Sequence, residues 1–118
     1  MESKEKARLI VELAEAKKAK DIEILELKHL TIITDYFIIC SGERVRTIVD
    51  YIEEELKKRG IRPASIEGYN FSKWVLMDYS DVIVHVFEEQ TREYYQIENL
   101  WIDAPRIEFE KDQDILDR

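Results

Sequence analysis

The sequence predicts a single α/β domain in which a mixed β-sheet packs against helices, with the elements in the order α-β-β-α-β-β-β-α. Three observations carry that expectation. Apolar residues recur at spacings of three and four in two separate stretches, as on helices with one buried stripe. Runs rich in valine and isoleucine, of strand length, lie between and after them. A chain of 118 residues can enclose one hydrophobic core but not two.

The first stretch holds Ala7, Ile10, Leu13 and Ala14 on one helical face, with Ser3 placed to cap its start. After the basic "KKAK", the segment "DIEILEL" sets Ile22, Ile24 and Leu27 among Glu23 and Glu26, an imperfect alternation whose β-branched content favours a strand. In "TDYFIICSG" the run Tyr36 to Cys40 is apolar without interruption, which predicts a strand covered on both faces. Val45, Ile48, Val49, Ile52 and Leu56 then mark the second helix. Ser41 is its expected cap, and Gly60 stands where a left-handed residue ends a helix.

Pro63 forces the chain out of helix and predicts a short extended piece in "IRPASIEG". "KWVLMD" and "DVIVHVF", joined at "YS", read as a tight hairpin. From Thr91 to about Trp101 the spacing of Tyr94, Tyr95, Ile97, Leu100 and Trp101 predicts a short helix that stops before Pro105. The charged end of the chain reads as a mobile or loosely docked acidic tail, so the expected division is a folded domain over residues 1–106 and a tail over residues 107–118.

Charge narrows the function classes. Eighteen Lys and Arg against 26 Asp and Glu leave a net charge of −8, which repels phosphate backbones at long range. No direct nucleic-acid specificity is expected, and a basic partner is favoured. The single cysteine, Cys40, excludes an intramolecular disulfide and a thiolate zinc cluster, and suits a reducing cytoplasm. The charged N-terminus is unlike a signal peptide, and no apolar run approaches the length of a membrane span.

Few groups invite catalysis. Period two puts Val82, Val84 and Val86 on one face of their strand and Ile83, His85 and Phe87 on the other, so His85 reads as a packed or interface histidine. Neither a metal site nor a base with a neighbouring nucleophile assembles around it, and no cofactor is expected. "CSGE" between strand and helix is a possible phosphate turn, but it lacks the further glycines and lysine of a phosphate loop. A two-metal nucleotidyl transferase needs carboxylates two apart on a strand; Asp78 and Asp81 flank a turn, and Glu108, Glu110, Asp112 and Asp114 lie in the expected tail. Cys40 ends an apolar run and reads as a core thiol. A nucleotide-binding or transferase enzyme is therefore the alternative reading, not the leading one. What chemistry leaves unexplained is the crowd of aromatics from Phe71 to Trp101, of the kind that anchors protein interfaces.

"DIEILEL", "TDYFIICSG", "IEG", "KWVLMDYSDVIVHVF", "REYY" and "LWIDAP", in that order, make the chain similar to the ribosome silencing factor, or Iojap, family. The matching positions are Thr34, Asp35, Tyr36, Trp74, Asp78, Tyr79, His85, Phe87, Arg92, Tyr95, Leu100, Trp101, Asp103 and Ala104. Two features depart from the family pattern: the helix after "CSG" begins sooner, and Ser80 stands where "DYGD" has glycine. The resemblance implies a nucleotidyltransferase-like fold without the catalytic carboxylates, and therefore no enzyme. It implies a translational repressor that binds the large ribosomal subunit through universal large-subunit ribosomal protein fourteen and blocks joining of the small subunit when nutrients are scarce. The partner-binding residues expected on this basis are Tyr36, Trp74, Asp78, Tyr79, His85 and Trp101, on a face that in the free protein could instead pair two copies as a homodimer.

Overall fold

A computed structural model describes residues 1–109. Helices α1 (Ser3–Ala16) and α2 (Val45–Lys58) lie on one face of a sheet formed by β1 (Lys20–Glu26), β2 (Tyr36–Ser41), β3 (Ser65–Glu67), β4 (Trp74–Asp78), β5 (Val82–Phe87) and β6 (Arg106–Ile107). A short helix α3 (Glu89–Tyr95) and a 3₁₀ turn (Ile97–Trp101) follow β5. The strand order is β3-β4-β5-β2-β1-β6; β2 and β5 run parallel, and the other neighbours are antiparallel.

Alternation along the strands divides the interior in two. Tyr36, Ile38, Cys40, Val75, Met77, Val82, Val84 and Val86 point toward the apolar stripes of α1 and α2 and form the main core. Leu25, Leu27, Ile39, Phe87, Ile97 and Ala104 form a smaller core on the opposite face, beneath the segment that follows β5. The continuous apolar character of β2 and β5 follows from this double coverage.

Several local expectations change. Ser3 does not cap α1; it is already helical, Glu2 precedes it, and this end of the helix carries no side-chain cap. Ser41 does not cap α2, because its hydroxyl donates to the Lys20 carbonyl at 3.4 Å and accepts from Arg92 at 3.2 Å; the residue before α2 is Arg44. Gly60 does end α2 with φ +77°, and the amides of Gly60 and Ile61 reach back to the Lys57 and Leu56 carbonyls. The hairpin turn has three residues rather than two, with Ser80 left-handed at φ +72° and its amide donating to Asp78 Oδ1 at 2.8 Å. Helix α3 starts at Glu89, earlier than its apolar residues signal, and breaks at Gln96, which is left-handed. The expected tail boundary falls inside β6, which pairs Ile107 with Ile24; the rest of that expected tail, residues 110–118, lies outside the described residues.

Candidate functional site

The face opposite α1 and α2 is only partly covered. The register sets Trp74 beside Phe87, Leu76 beside His85 and Asp78 beside Ile83 on this side, while β2 contributes Phe37 and Ile39. The segment after β5 covers one part of it. The remainder carries the half-buried side chains of Phe37, Trp74 and Leu76, with the half-buried Trp101 of the covering segment at its border. Their rings form a chain: Trp101 meets Phe37 edge-on at 5.8 Å, Phe37 meets His85 at 4.7 Å, and Trp74 lies 5.1 Å from Tyr95. Tyr94, Leu100 and Ile102, on the covering segment, are largely exposed. Glu67 pairs with Leu76 and so shares its face, which gives the apolar surface an acidic edge together with Asp78.

His85 organises the centre of this face. It is 4% exposed, and its Nδ1 accepts a hydrogen bond from Trp74 Nε1 at 3.1 Å. An accepting Nδ1 places the proton of the neutral ring on Nε2, which is buried without a partner among the described residues. Burial pulls the pKa of His85 down to about 4, against a smaller upward pull from Glu98. The ring is thus neutral near pH 7, a hydrogen-bond acceptor that orients Trp74.

A charged clamp fixes the covering segment. Arg92, 9% exposed, donates to Glu98 at 2.9 Å, to Ser41 at 3.2 Å and to Glu23 at 3.2 Å, so α3 is tied to both β1 and β2. Arg106 adds bonds to the carbonyls of Glu98, Trp101 and Ala104. Trp101 is positioned by this network and by its contact with Phe37.

Of the residues expected to bind a partner, Trp74, His85 and Trp101 come together here, with Asp78 on the same face at the hairpin end. Tyr36 and Tyr79 do not join them: both are buried in the core on the helix side, at 1% and 4% exposure. Phe37 takes the place on this face that Tyr36 cannot reach, and Leu76 belongs with it. Strand alternation signals both, once it is known which face the helices leave free.

Burial pushes the Cys40 thiol up to about 12, the charge of Arg92 opposing it only in part. At the "CSGE" turn, a Cβ on Gly42 would meet Ile48 Cδ1 at 2.7 Å, so close packing accounts for that glycine. Asp21 and Glu23 do have the i, i+2 spacing of paired carboxylates, a pair easily passed over in the sequence. The register shift between Lys20 and Glu23 interrupts their alternation, and Arg92 and Arg106 take up Glu23. Among the described residues, no group of three or more His, Cys, Asp or Glu could hold a metal ion, and no helix is long and apolar enough to cross a membrane.

Fold and site together define a small α/β domain that presents an aromatic sheet face with an acidic edge. The sequence profile described as "Ribosomal silencing factor during starvation" matches residues 1–117. The chain belongs to the ribosomal silencing factor family. It is 38% identical over 113 residues to the ribosomal silencing factor of Halalkalibacterium halodurans, covering 93% of this chain and 97% of that protein. It is also 31% identical over 99 residues to the mouse protein named for mitochondrial assembly of the ribosomal large subunit, covering 79% of this chain and 43% of the mouse protein. A crystal structure from Chromobacterium violaceum shares the fold with a TM-score of 0.83 at 33% identity, covering 94% of each chain. One from Bacillus halodurans gives 0.80 at 35% identity, covering 90% of this chain and 99% of that one.

Proposed function

We propose that this chain is a translational repressor of the cytoplasm. It docks its aromatic sheet face on universal large-subunit ribosomal protein fourteen, and its bulk then keeps the small subunit from joining when nutrients are scarce. The observation that carries this reading is the half-buried surface of Phe37, Trp74, Leu76 and Trp101, held in place by His85 and the Arg92 clamp and edged by Glu67 and Asp78. Preorganised aromatics at the centre of a contact supply affinity, and the acidic edge steers the encounter toward a basic protein.

The fold reads as a nucleotidyltransferase-like sheet that has lost its catalysis. In this reading Glu23, one of the two carboxylates at the required spacing, has become part of the clamp. The enzyme alternative makes a different prediction: heat on calorimetric titration with nucleoside triphosphates and magnesium.

Sedimentation with isolated subunits tests the repressor directly. The protein should travel with the large subunit, not the small one, and should lower the yield of joined particles. Trp74→Ala should weaken docking about 30-fold, the effect of losing a central anchor worth about 2 kcal/mol. Leu76→Lys, on a half-exposed position, sets a like charge against a basic partner and should weaken docking without emptying the core. Wild-type affinity in both folded variants would sink this placement. Light scattering across a dilution series shows whether two free copies pair through the same face, an arrangement that would compete with docking.

A further inference from the structure

A second feature of the molecule has the opposite electrostatic character. A cavity of about 550 Å³ opens between the end of α1, the start of β1 and the start of α2, and is lined by Lys17, Lys18, Lys20, Arg44, Glu43 and Thr47 among others. Four cations and one carboxylate share this space in a chain whose net charge is −8. We propose that this cavity is a docking site for the phosphodiester backbone of ribosomal RNA. It would be a second contact beside the protein-facing sheet, and the inference rests on the large-subunit reading above.

Structural needs account for only part of the cluster. Lys17 and Lys18 follow the last residue of α1, where cations complement the helix dipole, and Lys17 also lies 4.6 Å from the Tyr51 ring. Lys20 pairs with Glu89 at 3.3 Å, but both side chains are about half exposed and such a pair holds weakly. Arg44 has no such account. It precedes α2, at the end of the helix where cations are disfavoured, and the first turn of α2 carries no acidic residue to offset it. Lys18 and Arg44 are exposed, and neither enters an ion pair among the described residues. Cations that the described residues leave without a carboxylate partner, as they do Lys18 and Arg44, are suited to an external anion, and phosphates on a backbone match several cations spread along one cavity.

The position also fits. Trp74 pairs with Phe87, Phe87 with Ser41 and Ser41 with Lys20, so one row across the sheet joins the aromatic face to the rim of the cavity. Three strand spacings make that row about 14 Å long. Trp74 and the cavity thus lie at the same end of the sheet, so a domain anchored through Trp74 on a large subunit would hold these cations within reach of that subunit's surface, where phosphate is the abundant anion. The acidic remainder of the surface is repelled by RNA elsewhere, so the cavity also limits the orientations in which the domain can approach.

The test is binding to isolated large subunits across a salt series, for the wild type, for Lys18→Gln combined with Arg44→Gln, and for Glu43→Gln. Each lost phosphate contact should reduce the salt slope by about 1, so the double variant should lose about 2. Between about 50 and 200 mM salt its affinity should then fall about tenfold less than that of the wild type. Glu43→Gln should bind more tightly than the wild type, a gain that misfolding cannot produce. Both variants should bind the isolated ribosomal protein as the wild type does. A double variant with the wild-type salt slope on large subunits overturns the RNA contact and leaves the sheet-face reading intact. A wild type that binds neither the subunit nor the isolated protein overturns both.

Discussion

Removing the charge of Arg92 tests whether the clamp over the sheet face is structural. Arg92→Met keeps most of the side chain's aliphatic volume and deletes bonds to Glu98, Ser41 and Glu23 at 2.9, 3.2 and 3.2 Å. The two carboxylates respond differently. Glu23 has a side chain 35% exposed and keeps Arg106 at 3.4 Å, so its share is that of a surface pair, about 0–1 kcal/mol. The Glu98 side chain is only 16% exposed and loses its cation, and stranding a buried charge costs about 3–5 kcal/mol. A total near 3 kcal/mol follows when partial exposure is allowed for, a large fraction of the 5–15 kcal/mol that holds a domain of this size together. The melting temperature should fall by about 10 °C.

The same argument fixes a pH signature. Burial alone would raise the Glu98 pKa above 4.5, but its backbone amide and the hydrogen bond and charge of Arg92 outweigh burial and hold it lower. A depressed carboxyl contributes stability that is present above its unfolded pKa and lost as pH falls through the folded value. In the variant the hydrogen bond and charge of Arg92 no longer oppose burial, the pKa rises, and protonation relieves the stranded charge. The difference between wild type and variant should therefore be largest near pH 7 and shrink toward about pH 4, measured by urea unfolding with tryptophan fluorescence as the signal. A cost below about 1 kcal/mol, or one unchanged by pH, would refute a buried clamp and leave a solvated ring of charges.

Three further outcomes are expected. Ser80→Gly should stabilise the protein by about 0.5–1 kcal/mol in thermal unfolding, because Ser80 is exposed at φ +72° and makes the turn at a conformational cost glycine avoids. Gly68→Ala should destabilise by more than about 1 kcal/mol in the same assay, since a Cβ there would clash with the Trp74 carbonyl and Gly68 has φ +81°. His85→Phe should remove an acid sensitivity: wild-type stability should decline as pH falls from about 6.5 toward 4, where the unfolded histidine takes a proton and the buried one does not, and the variant should lack that decline.

The sequence makes each strand's two faces legible but not which of them the helices cover. The stripes on α1 and α2 and the alternation of β5 are local patterns, so Val82, Val84 and Val86 separate correctly from Ile83, His85 and Phe87. Tyr36 and Phe37 are adjacent and equally aromatic; only the packing of two helices against one side decides that Tyr36 is core and Phe37 is surface. Tyr79 turns inward at the hairpin for the same reason. The clamp is invisible locally because Arg92 and Glu23 lie 69 positions apart, and the basic cavity brings the 17–20 stretch to Arg44 only through the fold. Strand β6 is too short for any periodic signal.

The histidine at the centre of the face shows what the sheet is built to keep. A phenylalanine at that position would pack among Phe37, Trp74 and Phe87 and remove the imidazole Nε2, whose burial without a partner among the described residues costs about 1–3 kcal/mol. It would also leave the Trp74 indole N–H without its acceptor and its ring without a fixed tilt. Only a neutral imidazole is at once flat enough to stack and able to accept at Nδ1, and burial lowers its pKa far enough that it remains neutral at ordinary pH. The unsatisfied nitrogen thus comes together with an oriented tryptophan. A sheet selected for stability alone has no use for that exchange, whereas one that must present Trp74 to a partner in a single geometry does.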